Sequence, residues 1–209
     1  MNGNGGESPS IYLEDRLPRW IRGGYDRAKS YLPPDKTQFL DIETRGVSYK
    51  DQIWCVGVAF WDDGFVFHQY IARNPLEAEI ILEAYVEFAK RRPSVVSFNG
   101  KTFDLKRLDY HASANGLEVP RDKHVDVYKD VFEALRRKGI IKSAKLQSLE
   151  QSCLSFKRDR DVDGSKIPQI YSRYLQGGVP EPVAEALLHN RRDLITLAAL
   201  YLMVLEKGL

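Results

Sequence analysis

Two carboxylates stand two residues apart in Phe39-Leu40-Asp41-Ile42-Glu43-Thr44, a segment whose other central positions are apolar. In a strand, residues i and i+2 project from one face, so Asp41 and Glu43 share a side of an element that otherwise belongs in a core. Two unpaired like charges in such surroundings are strongly unfavourable. The chain must open that face to a cleft or bring positive charge to it, and a divalent cation does the second most directly. The plain structural alternative pairs one carboxylate with Arg45 and leaves the other in solvent at the strand end.

The pattern around this strand predicts a layered α/β domain. Gln52 to Trp61 is rich in Val, Ile and aromatics, Asp62-Asp63-Gly64 is a turn, and Phe65 to Tyr70 returns, which makes a three-strand antiparallel meander. Asn74-Pro75-Leu76-Glu77 reads as a helix start with a capping box, followed by the stripe Ile80, Ile81, Ala84, Tyr85 and Phe88. Short strands at 95–98 and 124–127 bracket a helix from about Thr102 to Ala114, and helical segments follow near 128–137, 146–153 and 167–176. Pro182 opens the last helix, with Val183, Leu187, Leu194, Leu197, Tyr201 and Leu205 at helical spacing. The expectation is a mixed sheet, a meander plus parallel strands, flanked by helices over residues 38–209. Residues 1–10 read as a flexible tail, and residues 11–37, with Tyr12, Trp20, Tyr25 and Tyr31 among basic residues, as an arm of short helical pieces and turns wrapping the core.

Composition excludes several classes. At 209 residues, 43 % hydrophobic and 29 % charged, the chain is neither disordered nor fibrous. No run approaches the roughly 18 apolar residues that span a bilayer, so no membrane association is expected. No leader pattern opens the chain, and Cys55 and Cys153 read as buried reduced thiols, which together point to a cytoplasmic protein. A net charge of +2 leaves bulk electrostatics silent on partners.

Three further residues carry chemistry. Asp104 follows Asn99-Gly100-Lys101-Thr102-Phe103, where a buried strand breaks and a helix begins. A helix dipole alone would justify a carboxylate there, but the carboxyl end of a strand is also where α/β sheets keep their ligand crevices. His189 and Asp193 are four apart on the last helix and share a face at the flank of its apolar stripe. Three separate segments thus bring acidic groups to element edges, and hard oxygen donors suit Mg²⁺ or Mn²⁺ better than zinc. Two such ions can bind a phosphodiester and activate water, with a nearby histidine as general base. Asp126 reads first as a cap for the helix near Tyr128 and second as a carboxylate orienting a ligand from behind.

In this arrangement the sequence resembles the DEDD 3′–5′ exonucleases of the RNase H-like (DnaQ-like) superfamily. Their D-x-E-T strand matches Asp41-Ile42-Glu43-Thr44, their N-x-x-x-F-D phrase matches Asn99 to Asp104, and their helical His-and-Asp motif matches His189 to Asp193. It shares the phrases S-F-N-G-K-x-F-D, I-P-x-x-Y (Ile167 to Tyr171) and H-N-x-x-D with predicted exonucleases of the YprB type. The resemblance implies an RNase H-like fold, two divalent cations held by Asp41, Glu43, Asp104 and Asp193, and His189 as the base. It further implies that Thr44, Asn99 and Phe103 hold the 3′-terminal nucleotide. His-type members place the histidine five residues before the aspartate, whereas here the gap is four; Tyr171 and Tyr174 are the alternatives to His189.

The implied activity is release of nucleoside 5′-monophosphates from a single-stranded 3′ end, with DNA favoured over RNA. The alternative is a catalytically silent nucleic-acid-binding or assembly module, against which the retained acidic set argues. A haloacid-dehalogenase-type phosphatase would need a second aspartate where Glu43 stands, and an RNase H endonuclease would not need His189. Basic runs at 90–92, 136–138 and 157–160 read as solvated faces or phosphate contacts, and the arm as a candidate surface for a homo-oligomer.

Overall fold

The computed structural model describes residues 13–14 and 32–207. The tail and most of the arm therefore lie outside the described residues. In chain order the elements are β1 (Leu13–Glu14), β2 (Thr37–Thr44), β3 (Ile53–Trp61), β4 (Phe65–Ile71), α1 (Ala78–Arg91), β5 (Ser94–Ser97) and α2 (Asp104–Ala114). They continue with β6 (Lys123–Asp126), a π-helical turn (Tyr128–Phe132), α3 (Glu133–Arg137), α4 (Leu146–Cys153), α5 (Ile167–Leu175) and α6 (Glu181–Lys207).

One mixed sheet runs in the order β1-β4-β3-β2-β5-β6. The meander β2-β3-β4 is antiparallel, with its turn at Asp62, whose N–H donates to the Gly64 carbonyl, and at Asp63 in the left-handed region with φ 48°. β5 and β6 add in parallel on the other side of β2. In the arm, where short helical pieces and turns were expected, Pro34–Lys36 forms a 3₁₀ turn, whereas Leu13–Glu14 extends the sheet by pairing with Phe67 and Val66 of β4.

Alternation along β2 sorts its side chains into two cores. Leu40 and Ile42 pack with Trp54, Val56, α1, α2 and α5, while Phe39 packs with Phe65, Val96 and α6. Asp41 and Glu43 follow Phe39 by steps of two and therefore face α6. α6 is buried at every position from Thr196 to Leu202, so this part of the helix is enclosed by the domain. Its preceding two turns, carrying His189 and Asp193, pass over the carboxylates of β2.

A 3₁₀ turn at Pro75–Glu77 precedes α1, and the buried face is Ile81, Leu82, Tyr85, Val86, Phe88 and Ala89. Ile80, expected in the stripe, is 55 % exposed because one helical step rotates it 100° off that face. Asn74 does cap the turn, but Glu77 returns its bond to the N–H of Arg73 rather than to that of Asn74. Cys55 is buried as expected, whereas Cys153 is only half-buried. Leu187 and Leu205 are half-buried at the margin of the α6 stripe.

Candidate active site

Asp41 lies opposite Gly57 in the β2–β3 register, and that glycine is required by what crosses it. A Cβ at position 57 would stand 2.1 Å from Oδ1 of Asn190, so a side chain there would expel the amide. Gln69, Gly57's partner on β4, donates from Nε2 to Asn190 Oδ1 (2.9 Å) and to the Leu187 carbonyl (2.8 Å). With its oxygen so engaged, Asn190 must present its Nδ2 hydrogens to Asp41, at 2.7 Å to Oδ2 and 3.2 Å to the main-chain oxygen. Asn190 is fully buried. A neutral amide held on both sides thus fixes the carboxylate of Asp41 to α6.

Asp104 is placed by a different device. β2 pairs with β5 only from Thr37 to Phe39, so the N–H groups beyond that point on this edge need another acceptor. Asp104, 4 % exposed, supplies it through Oδ1 to the Ile42 N–H at 3.1 Å. The preceding loop is wound around Asp126, which is fully buried and accepts from the N–H groups of Asn99 (2.8 Å), Lys101 (2.9 Å) and Lys129 (3.2 Å). Asp126 therefore caps the turn that follows it and also shapes the loop that delivers Asp104. Asn99 adopts φ 64°, and a Cβ at Gly100 would meet Ser97 Oγ at 2.2 Å.

Of the three expected nucleotide contacts, Thr44 ends β2, and Asn99 and Phe103 lie in the segment that leads into α2. Thr44 donates to the Gly46 carbonyl (2.7 Å), Asn99 Oδ1 accepts from Thr102 (2.7 Å), and the Phe103 ring lies 3.4 Å under the Arg107 guanidinium.

α6 contributes His189 and Asp193 to a buried charge network that the sequence reading did not foresee. Arg158, its side chain 4 % exposed, reaches Asp193 Oδ1 at 2.6 Å, Glu150 Oε1 and Asp161 Oδ2 at 2.5 Å each. His189 stands between two acids, with Nδ1 2.9 Å from Asp161 Oδ2 and Nε2 3.4 Å from Asp193 Oδ2. Thr196 completes the cluster by donating to Glu150. A cleft of about 720 Å³ opens beside it, lined by Lys145, Gln147, Lys157 and Arg158 together with His189 and Asp193.

Three of the carboxylates bind their protons more tightly than usual. Burial, then the charges of Asp193, Glu43 and Asp104, raise the pKa of Asp41 well above the usual carboxylate range, against the Asn190 bond. Burial likewise raises Glu43, with His189 opposing and Asp193 and Asp104 reinforcing. Asp104 is pushed up to about 7, chiefly by burial, against the stabilising N–H of Ile42. For His189 burial disfavours the charge, but the bond and charge of Asp193, with Glu43 and Asp161, prevail and raise it to about 9.

Among the described residues no three Asp, Glu, His or Cys side chains are already closed around a common point as a metal site, and Asp193 is turned toward Arg158. The donor chemistry nonetheless fits a hard divalent cation. Asp41, Glu43 and Asp104 are oxygen donors in poorly solvated surroundings whose mutual repulsion a cation would relieve.

Asn190, Gln69, Gly57, Glu150, Arg158 and Asp161 escaped the sequence reading. Asn190 lies inside the H-N-x-x-D phrase, and Arg158 inside a basic run whose sequence is that of a solvated face or a phosphate contact. Tyr171, one of the two alternative bases, is buried against Trp54 at a 4.6 Å ring separation and donates to the Ala72 carbonyl, so its hydroxyl is spent in the core.

Residues 38–205 match the family RNase_H_2, described as RNase_H superfamily. The chain is 23 % identical over 202 residues to the uncharacterized protein YprB of Bacillus subtilis (strain 168), a match covering 93 % of this chain and 48 % of that protein. It spans about half the length of that relative. The family B DNA polymerase of the hyperthermophilic archaeon Pyrobaculum calidifontis superposes with a TM-score of 0.64 at 20 % identity, over 84 % of this chain and 24 % of the polymerase. That likeness is one of fold, an RNase H-like mixed sheet with flanking helices.

Proposed function

Because the chain belongs to the RNase_H superfamily, we propose that it is a nuclease of the DEDD type, a metal-dependent 3′–5′ exonuclease that acts on single-stranded nucleic acid, with DNA favoured. The observation that carries the reading is the convergence of Asp41, Glu43, Asp104 and Asp193, from β2, the start of α2 and α6, so that the charges of Asp104 and Asp193 bear on both buried carboxylates of β2. Buried like charges cost stability, and a structural role does not call for them.

Asp41, Glu43, Asp104 and Asp193 would hold two Mg²⁺ or Mn²⁺ ions, which supply water activation and charge neutralisation at the leaving oxygen. The chain's own residues do the rest. Asn190 and Gln69 hold the Asp41 carboxylate against α6, and Asp126 keeps the Asn99 loop folded so that Asp104 arrives beside Ile42. His189 is the proposed general base. Its proton is held first by Asp193, and release of Asp193 from the ring lowers the proton affinity of Nε2. Asp161 stays on Nδ1 and fixes the ring's orientation. Arg158 supplies Asp193 with a countercharge while no cation does.

The test uses 5′-labelled single-stranded DNA and RNA of one sequence with Mn²⁺, Mg²⁺ or EDTA, and Asp41→Ala in parallel. The expected result is a ladder shortening from the 3′ end, absent with EDTA and in the variant, and slowed roughly 10²–10⁴-fold in His189→Ala. Full activity in Asp41→Ala, or none in the wild type with either metal, defeats the proposal.

A further inference from the structure

A patch of rings and cations beside the carboxylates is not used by the reaction just described. The loop from β2 to β3, residues 45–52, meets the exposed face of α2, where Tyr49 packs edge to face on Tyr110 with centroids 5.0 Å apart and planes at 87°. Both rings keep over a third of their surface in solvent, 39 % and 38 %. The Lys106 and Lys50 ammonium groups stand 5.2 and 5.7 Å from the Tyr49 centroid. Lys106 and Tyr110 are four apart and therefore share one face of α2.

The patch is fastened to the site. Arg107 stacks on Phe103, the residue before Asp104, and donates to the Val47 carbonyl, so the loop bearing Tyr49 is tied to the start of α2. Six residues of helix separate Asp104 from Tyr110, about 9 Å of rise. That distance is between two and three nucleotides stacked at about 3.4 Å.

We propose that Tyr49 and Tyr110, with Lys50 and Lys106, form a stacking platform for an unpaired base of single-stranded nucleic acid near the reacting end. The inference rests on the nuclease reading and adds where the strand lies. Bases stack on exposed aromatic rings irrespective of sequence, and cations alongside track the phosphates. The two groups over Tyr49 are both ammonium ions, and an exposed ammonium on a ring is weakly held. A base that takes the ring face releases a lysine to the adjoining phosphate. The acids nearby are already engaged, Asp51 by the Ser48 N–H at 2.7 Å and Asp109 by Arg121 at 2.7 Å. Charge complementarity therefore selects a polyanion with planar groups.

The experiment follows binding of fluorescein-labelled oligo-dT and oligo-U by anisotropy in EDTA, where hydrolysis cannot intervene, between about 50 and 200 mM salt. Tyr49→Ala with Tyr110→Ala is expected to weaken binding about tenfold or more, and Tyr49→Trp to retain it. Lys50→Gln with Lys106→Gln should flatten the salt dependence by about 1.4 in logarithmic slope, 0.7 for each lost cation. Wild-type affinity in the double tyrosine variant, or equal loss in Tyr49→Trp, overturns the platform and leaves the nuclease reading intact. No binding of either oligomer by the wild type overturns the platform, and joined to absent cleavage in the assay above it removes the nuclease reading as well.

Discussion

Asp41 is held by an amide rather than by a cation, and that choice leaves its charge uncompensated. Asn190 can donate to it but cannot neutralise it, while burial and three neighbouring acids oppose its ionisation. Asp41→Asn therefore removes a repelled charge and keeps a hydrogen-bonding group of the same size. In EDTA at neutral pH the variant should melt at a higher temperature than the wild type and should show no nuclease activity. Calorimetry beside the ladder assay reads both. The chemistry of Asp41, Glu43, Asp104 and Asp193 was legible because charge in an apolar strand or at an element edge contradicts its surroundings. Asn190, Gln69 and Gly57 were not legible, since a neutral amide and a glycine contradict nothing until the register sets them opposite Asp41.

The elements fall into those that periodicity reveals and those that only tertiary contact defines. The meander, α2 and α6 were readable from alternation, turn residues and helical spacing. The segment from Cys153 to Lys166 was not, because its Arg158 looks in sequence like any member of a basic run, and only its burial against Glu150, Asp161 and Asp193 gives it a role. Its removal leaves three acids without their common partner, Glu150 being 1 % exposed. Loss of one partner from a buried pair costs about 3 kcal/mol, and Arg158→Ala should lower the urea-unfolding free energy by about that amount. A change under 1 kcal/mol would mean that solvent reaches the cluster freely.

Across the whole molecule the site makes stability fall as pH rises. Asp104 binds its proton more tightly folded than unfolded, so its destabilising effect is absent below pH 4 and complete above about 7. His189 is likewise raised, to about 9, and its stabilising contribution, present below about 6.5, is lost as pH climbs through 9. Both work in the same direction in successive windows. His68 and His124, lowered by burial, work the other way up to about pH 6.5, so melting temperature in EDTA should decline from pH 7 to pH 9, and Mn²⁺ should raise it more at pH 8 than at pH 5.5, because protons compete for the same oxygens. A flat profile without metal would contradict the proton affinities on which the site is built.

β2 outruns β5 by five residues, from Leu40 to Thr44, and so is bonded along that reach by β3 alone. It behaves as a cantilever, clamped at its root in the sheet and steadied at its tip by two side chains, Asp104 and Asn190, which arrive from opposite sides. Asp41 and Glu43 ride on the projecting part. Their alignment is thus set by the docking of α2, through one hydrogen bond from Ile42 to Asp104, and of α6, through the Asn190 amide, and slackening of either joint misaligns the carboxylates while the sheet beneath remains whole.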